Sequence, residues 1–365
     1  MELALRPQHA PGTDSKESPL KEDPEPSGAQ DLSFVVSCSL SQYRVPIQRT
    51  LDIDSMDAAK RAVIDYLVYL VVRIFICCLQ ILSLEKCRQL SYVIGVLATD
   101  ILKIRRSLLE ENLSHALPEL NAAERRDLAI RCWAHLFLMV CEIAHLPRKL
   151  HDTNWRQHVT FCNKRETLRY LLDERATVFV TGHFGNFEAA GYVIGLFGFP
   201  SFTIARPLDN KFLHQFVNDF RSMTGQFILP KQGSAKHVDE VLQAGGTLSL
   251  LGDQYAGPKG CWVEFLNRPA SCHKAIAVFT LLSGAPQLIS VNRRVGGPLE
   301  FELGTTAVAD PQKPTPALDG VRQLTEWSTR HLETLIRENP EQYWWIHRRW
   351  KGTPPKRFFR QQKAA

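Results

Sequence analysis

The sequence lacks the cysteine patterns that bind zinc or form a redox centre. Its nine cysteines are scattered over 365 residues, and the only close pair is Cys77-Cys78. There is no Cys-x-x-Cys and no Cys/His cluster with zinc-ligand spacing. We therefore expect no metal, and we interpret the cysteines as mostly buried free thiols in a reducing compartment.

Two further patterns are missing. Residues 1–30 contain no apolar h-region, which argues against a cleavable signal peptide. No Gly-x-Ser-x-Gly elbow occurs, which disfavours a serine nucleophile. Residues 1–31 are rich in Pro, Ser, Asp and Glu, so we predict a disordered tail, followed at 32–60 by an extension of unknown role.

Charge is ordinary in amount but uneven in distribution. With 44% hydrophobic and 22% charged residues, the chain has a globular composition and a net charge of +6. The last twenty residues contain seven Lys or Arg and no Asp or Glu, and 353–365 form a basic tail. Such a tail can bind nucleic acid, an anionic membrane surface or an acidic partner.

A long apolar run covers Tyr66–Leu84, close to the ~20 residues needed to cross a bilayer. Arg73 lies in the middle of this run, and a central Arg is costly in hydrocarbon. The helix either spans the membrane or lies partly sunk in one leaflet with Arg73 snorkelling, and a buried core helix is the alternative. We assign residues 61–100 to a membrane-anchoring helical segment.

Residues 101–352 are predicted to form one α/β domain. A helix is expected from a capping box at Asn121–Glu124 to Pro147, which should end it. After His151, short β-rich runs alternate with amphipathic segments, which predicts a largely parallel central sheet flanked by helices. The predicted strands are Thr177–Thr181, Ser201–Ala205, Gln226–Leu229, Thr247–Leu251 and Gln287–Val291.

The first candidate for chemistry is Gly182-His183-x4-Glu188, at the end of a predicted strand. With His183 on the strand-to-helix turn and Glu188 in the first helical turns, the carboxylate could orient the imidazole and leave Nε2 free as a base. Gly182 and Gly185 would allow close approach of backbone and substrate. On spacing alone, a capping histidine beside a solvated glutamate remains open.

Other polar residues also follow predicted strands. Asp253 and Gln254 come after Thr247–Leu251, where ligands bind in α/β sheets, although Asp253 could simply cap a turn. Arg206 could hold an anionic group, or serve only as an ion-pair partner. The Trp- and Arg-rich end at 343–360 fits either RNA or a membrane interface, and the apolar run at 66–84 favours the membrane.

Taken in order over residues 60–352, these motifs resemble the lipid A biosynthesis acyltransferase family, the late acyltransferases of bacterial lipopolysaccharide assembly. The motifs that carry the resemblance are the apolar anchor, Arg106-x5-Asn112-Leu113, Leu117-Pro118-Glu119, Gly182-His183-x4-Glu188, Arg206-Pro207 with Asn210, Gly252-Asp253-Gln254, Val263-x-Phe265-Leu266-Asn267-Arg268-Pro269-Ala270, Gly284-Ala285-Pro286 and His347-Arg348-Arg349-Trp350-Lys351. The segment Phe265-Leu-Asn-Arg-Pro departs from the family's more common Phe-Phe-Gly-x-Pro.

The resemblance implies a fold like that of glycerol-phosphate acyltransferases and an O-acyltransferase at the inner membrane, with its site on the cytoplasmic side. An acyl chain would move from an acyl carrier protein or coenzyme A thioester to a hydroxyl of a lipid A precursor or related glycolipid. No other cofactor, no metal and no nucleic acid are expected.

The implied roles divide among three sets of residues. His183 and Glu188 would be catalytic. Oxyanion or substrate binding would fall to Gly182, Gly185, Asn186, Arg206, Asp253 and Gln254. Contact with lipid phosphate or the carrier protein would fall to Arg348, Arg349 and Lys351.

Two alternatives remain at this stage. The acceptor could be another lipid, such as a phosphatidylinositol mannoside, an ornithine lipid or a lysophospholipid. The chain could also be a non-catalytic binder of membrane or nucleic acid.

Overall fold

A computed structural model describes residues 55–231, 233–356 and 358–359. The predictions for residues 1–54 and for the last residues of the basic tail lie outside this part. The helices are α1 (Ser55–Ile81), α2 (Leu84–Val96), α3 (Arg106–Ala116), α4 (Ala122–Lys149), α5 (Lys164–Leu171), α6 (Phe187–Leu196), α7 (Lys211–Ser222), α8 (Ser234–Gln243), α9 (Lys274–Ser283) and α10 (Val321–Glu338).

The central sheet has seven strands in the order β1-β9-β8-β2-β5-β3-β4. Five neighbouring strands, from β8 to β4, run parallel, while β9 pairs antiparallel with β8 and β1 runs parallel to β9. A separate hairpin joins β6 and β7. The strands are β1 (Val159–Cys162), β2 (Thr177–Thr181), β3 (Ser201–Ala205), β4 (Gln226–Pro230), β5 (Thr247–Leu251), β6 (Cys261–Phe265), β7 (Arg268–Cys272), β8 (Gln287–Arg294) and β9 (Phe301–Ala309).

Helices cover both faces of the sheet, and β2 lies at its buried centre. Successive side chains of a strand point to opposite faces, so Val178 and Val180 join the largest core cluster while Phe179 packs with Tyr170 of α5. β2 is therefore buried along its whole length, as expected for a central parallel strand with both faces covered.

The predicted α/β class and parallel sheet are confirmed, as is the capping box at Asn121 and Glu124. The prediction that Pro147 ends α4 is wrong, because the helix continues to Lys149. In the last turn a proline removes only one helical hydrogen bond, and the buried side chains of Leu146 and Leu150 hold this end of the helix.

Among the residues that the structure describes, two helices are long and apolar enough to cross a membrane: Lys60–Ile81 within α1 and all of α4. The apolar window of α4 is 61% buried, which identifies a core helix, whereas that of α1 is only 6% buried. Helix α1 meets α7 along one face, where the Arg73 guanidinium lies 4.9 Å from the Phe216 ring centroid. Its other face exposes a stripe of apolar side chains: Val63, Ile64, Leu67, Val71 and Ile74.

Candidate active site

The site is built at the carboxyl ends of two adjacent parallel strands. β2 and β5 pair in register, with Thr181 opposite Leu251. His183 and Asp253 each follow their strand by two residues, so the register that aligns the strands also brings these two side chains together. Ligands commonly bind at this edge of an open α/β sheet.

Asp253 holds His183 through both carboxylate oxygens. His183 Nδ1 lies 2.8 Å from Asp253 Oδ1, and the His183 backbone N–H donates to Oδ2 at 2.9 Å. An ionised carboxylate only accepts hydrogen bonds, so Nδ1 carries the proton and Nε2 is the basic nitrogen. The Gln254 amide nitrogen lies 3.1 Å from Nε2. A Cβ at Gly182 would lie 3.2 Å from Asp253 Cγ, so a side chain there would crowd the carboxylate.

The same contacts set the charges of the pair. Burial lowers the pKa of His183, but the charge of Asp253, its hydrogen bond and the charge of Glu188 outweigh this and leave the pKa above its usual value. Burial raises the pKa of Asp253, and the charge and hydrogen bonds of His183 more than reverse this, so the carboxyl stays ionised.

The structure corrects the predicted orienting contact of Glu188. Its carboxylate pairs with Arg221 of α7, which donates from Nε at 2.9 Å and from Nη2 to the other oxygen. Glu188 therefore acts on His183 through its charge, while Asp253 makes the hydrogen bond to Nδ1. The equal two-residue offsets of His183 and Asp253 were the sequence signal for this pair, but only strand order shows that β2 and β5 are neighbours.

Gly185 and Asn186 face the protein interior rather than a substrate, contrary to the prediction. Gly185 has φ +60°, and a Cβ there would lie 1.8 Å from Asn292 O of β8. The backbone N–H groups of Gly185 and Asn186 already donate to Gln342 O and Asn292 O, each at 2.9 Å. The buried Asn186 side chain accepts from Ala189 N at the start of α6 and donates from Nδ2 to Glu142, so both residues use their hydrogen-bonding groups within the fold.

A buried charged network supports the turn from this inner side. Glu142 is fully buried and accepts from Arg294 at 2.6 Å on each oxygen and from Asn186 Nδ2 at 3.0 Å. His135 Nε2 donates to Gly185 O at 3.2 Å, and its Nδ1 accepts from Arg294 at 2.9 Å. Burial, reinforced by the charge of Arg294, lowers the pKa of His135 well below its usual value.

On the outer side, Trp344 and His347 pack over the imidazole. The backbone N–H of Trp344 donates to the backbone carbonyl of His183 at 3.1 Å, and the centroids of the two side-chain rings are 4.9 Å apart. The His347 ring lies parallel to that of His183 at 6.5 Å, and burial lowers the pKa of His347. With Phe187 at 5.3 Å, these rings leave His183 in a mostly apolar setting with a carboxylate behind it.

Comparison with known proteins agrees with this arrangement. The profile of the bacterial lipid A biosynthesis acyltransferases matches residues 55–352, well over half of the chain. The chain belongs to this family. Among its relatives is the lipid A biosynthesis lauroyltransferase of Escherichia coli (strain K12), 23% identical over 266 residues, which cover 72% of this chain and 84% of the relative. The palmitoleoyltransferase of the same strain is 25% identical over 267 residues, or 72% and 83% of the two chains. A lipid A biosynthesis acyltransferase of Shigella flexneri matches equally well.

In this acyltransferase, the Arg106-x5-Asn112 motif connects α3 to the segment over the site. Asn112 Nδ2 donates to Trp345 O at 2.7 Å and to His347 O at 3.1 Å. Asn112 is itself buried, so these two bonds hold the backbone that carries Trp344 and His347.

The basic residues of the His347–Lys351 motif divide into two groups. Arg348 and Lys351 are exposed, and their contact with lipid phosphate or the carrier protein stays a prediction. Arg349 is 2% exposed and donates to Ser271 O at 2.8 Å, so the predicted contact with lipid phosphate is wrong for this residue. Its charge instead helps to lower the pKa of Asp253, after the larger effects of His183.

Arg206 lies at the same edge of the acyltransferase sheet, after β3. Its side chain is 78% exposed and lies 3.3 Å from Asp209. This is the ion-pair alternative that the sequence left open, and no contact among the described residues brings Arg206 to His183.

Proposed function

We propose that this acyltransferase moves a fatty acyl chain from an acyl carrier protein or coenzyme A thioester to a hydroxyl of a lipid A precursor or related glycolipid. The observation that carries the proposal is the His183–Asp253 pair, whose basic Nε2 lies at the substrate edge of the sheet. Family membership supports the reaction class, and the names of the relatives support the lipid A acceptor.

In the proposed reaction, Nε2 of His183 takes the proton of the acceptor hydroxyl. The oxygen attacks the thioester carbonyl carbon, the new C–O bond forms, and the C–S bond breaks. The leaving thiolate then takes the proton from Nε2, which returns His183 to its starting state. Charge and protons balance without an acyl-enzyme, so the proposal includes no metal and no cofactor beyond the thioester.

Asp253 is the positioning group in this scheme, because it fixes the tautomer of His183 and stabilises the imidazolium. Gln254 occupies the hydrogen-bonding position on Nε2 that the acceptor hydroxyl needs, so it must give way when the acceptor binds. Glu188, held by Arg221, adds a second negative charge that favours protonated His183.

Developing charge on the thioester oxygen needs donors. We assign these to the first N–H groups of α6, at Phe187 and Glu188, because the first N–H groups of a helix have no partner within it and favour negative charge. This replaces the predicted donors at Gly185 and Asn186, whose N–H groups are already bonded.

We also propose that α1 anchors the enzyme in the inner membrane, with the active site on the cytoplasmic side. Its exposed apolar stripe supports contact with lipid. Arg73, the residue that argued against spanning, is exposed but lies against the Phe216 ring of α7 rather than within that stripe.

The test is acyl transfer by the full chain in membranes, using labelled thioesters of several chain lengths on either carrier and reading the product lipid by mass spectrometry. We expect transfer to a lipid A precursor, and a loss of about 10²–10⁴-fold in His183→Ala. The matched control is His237→Ala, because His237 also lies beside a carboxylate, Glu240 at 3.3 Å, but on the exposed surface of α8.

Wild-type rates in His183→Ala would refute the proposed base. Transfer only to another lipid, such as a lysophospholipid or an ornithine lipid, would keep the chemistry and reassign the acceptor.

A further inference from the structure

The connection between α2 and α3 carries large apolar side chains at its tip. After α2 the chain makes a π-helical turn at Leu97–Ile101 and then reverses into α3. Ile101 and Leu102 are each 66% exposed and Ile104 is 40% exposed. We call residues 101–106, with the sequence Ile-Leu-Lys-Ile-Arg-Arg, the 101–106 loop.

The backbone of the 101–106 loop is held in an unfavourable conformation. Lys103 and Arg105 both have φ 51°, in the left-handed region that glycine adopts most easily. The turn is closed by hydrogen bonds from Leu102 N to Leu97 O and from Ile104 N to Ala98 O, both 2.8 Å. Glycine would adopt these φ values at a lower conformational cost. The local backbone conformation therefore does not explain why charged side chains stand at both positions.

The loop's positive charge is not neutralised by carboxylates among the described residues. Lys103, Arg105 and Arg106 are all exposed. Arg105 donates to Ile346 O, a neutral acceptor, at 2.7 Å. The nearby Asp100 already pairs with Arg126, at 2.7 Å from Nε. Three cations thus surround three exposed apolar side chains.

This combination identifies the chemistry of the partner. Apolar tips with adjacent Lys and Arg suit the boundary between headgroups and acyl chains in an anionic bilayer, where each part meets its counterpart. A nucleic acid would leave Ile101 and Leu102 without a role. Val93 and Leu97 of the same helix end are also exposed and extend the apolar surface.

The loop is also connected to the active site. Arg105 holds the carbonyl of Ile346, next to His347, whose ring lies parallel to that of His183. A bilayer bound at the loop would therefore be linked to the segment over the imidazole through the hydrogen bond from Arg105 to Ile346 O.

We propose that the 101–106 loop is a second membrane contact, separate from α1. Ile101, Leu102 and Ile104 enter the bilayer, and Lys103, Arg105 and Arg106 meet the phosphates of anionic phospholipids. This contact fixes the orientation of the catalytic domain relative to the bilayer. With α1 as the single anchor, the domain could rotate about the axis of that helix. The inference does not rest on the proposed reaction and can be tested without turnover.

The test uses the full chain in nanodiscs of mixed phosphatidylglycerol and phosphatidylcholine, so that α1 anchors every variant equally. A photoreactive Leu102→p-benzoylphenylalanine variant should form a lipid adduct on illumination, detected by mass spectrometry. The same substitution at Leu172 or Leu282, which are 72% and 83% exposed elsewhere on the domain, is the matched control. We expect adduct yields on the order of tenfold higher at Leu102.

A charge variant makes the test specific. Lys103→Gln with Arg106→Gln leaves the Arg105 contact in place. In anionic discs, these substitutions should reduce the lipid adduct yield at Leu102 by about fivefold per cation removed. They should have little effect in discs of phosphatidylcholine alone. The control is Lys236→Gln with Arg330→Gln, which removes two exposed cations from α8 and α10.

Equal adduct yields at Leu102 and Leu282 would overturn the proposal. So would crosslinking of Leu102 to a protein instead of a lipid, since that would make the loop a protein-docking surface. If the charge variant gives the same adduct yield as wild type in anionic discs, the proposed contacts with lipid phosphates are refuted.

Discussion

Two histidines lie on opposite sides of the turn at 183–188, and their surroundings give them opposite properties. His183 faces the substrate edge with a carboxylate on Nδ1, and its pKa is raised overall. His135 faces the interior with a guanidinium on Nδ1, and its pKa is lowered well below the usual value. Burial lowers the pKa of both rings, but the carboxylate beside Nδ1 of His183 outweighs it, whereas the guanidinium beside Nδ1 of His135 reinforces it.

The remaining nitrogen of each ring shows how the two roles differ. Nε2 of His135 is occupied by Gly185 O, a bond within the fold that no substrate can replace. Nε2 of His183 is met by the exposed side chain of Gln254, which can move. One histidine is therefore a support for the turn, and the other is a base that the turn presents.

The largest expected effect comes from removing the charge behind the base. Asp253→Asn should lower kcat by about 10²–10⁴-fold, because it removes the group that orients His183 and stabilises the imidazolium. Activity should rise with pH as His183 loses its proton, with a midpoint above the usual histidine value in wild type. In Asp253→Asn burial dominates, so that midpoint should move to lower pH.

Two further variants sharpen this comparison in the same pH–rate measurement. Glu188→Gln should move the midpoint less, because Glu188 acts on His183 without a hydrogen bond. Asp209→Asn is the control, a carboxylate that is 94% exposed at the same sheet edge. A larger midpoint shift in Glu188→Gln than in Asp253→Asn would make Glu188 the principal partner of His183.

The second prediction concerns the buried ion pair of Arg294 and Glu142 on the inner side of the turn. Arg294→Met should lower the free energy of unfolding by about 3–5 kcal/mol, because it leaves the fully buried Glu142 carboxylate without its counter-charge. The double variant Arg294→Met with Glu142→Gln should recover most of this loss, as measured by urea denaturation. Failure of the double variant to recover would show that the network's geometry matters more than its charge balance.

Much of the outer side could be predicted from the sequence, and little of the inner side. Apolar runs followed by Gly-His and Gly-Asp-Gln located both halves of the site, because strand ends in parallel sheets gather polar residues at one edge. Strand order cannot be read from the sequence, so the sequence does not predict that Asp253 contacts His183, and Glu188, the carboxylate nearer in sequence, is the predicted orienter. The Glu188 carboxylate instead pairs with Arg221, on the next helix.

The inner network escaped prediction for a different reason. His135, Glu142 and Arg294 lie on an amphipathic helix and a strand end, where isolated charges usually face solvent. Only packing shows that three distant positions meet beneath one turn. Four strands, β1, β6, β7 and β9, are likewise not predicted. β6 and β7 form an antiparallel hairpin, β9 pairs antiparallel with β8, and β1 lies at the sheet edge, so all four lie outside the helix–strand alternation that predicts the other five.

The smallest effect we predict is on the pH dependence of stability, which has opposite signs for the two histidines. His183 has a raised pKa, so its stabilisation is complete below about pH 6.5, the unfolded pKa, and is lost as pH rises through the folded pKa. His135 has a lowered pKa, so its stabilisation is complete above that value and is lost as pH falls. Each slope is at most about 1.4 kcal/mol per pH unit. Urea unfolding from pH 5 to 9 (about the range over which histidine titrates) should therefore show wild type and His183→Gln converging at high pH. Wild type and His135→Gln should converge at low pH. If both variants converged with wild type at the same end of the pH range, the opposite pKa shifts of His183 and His135 would be refuted.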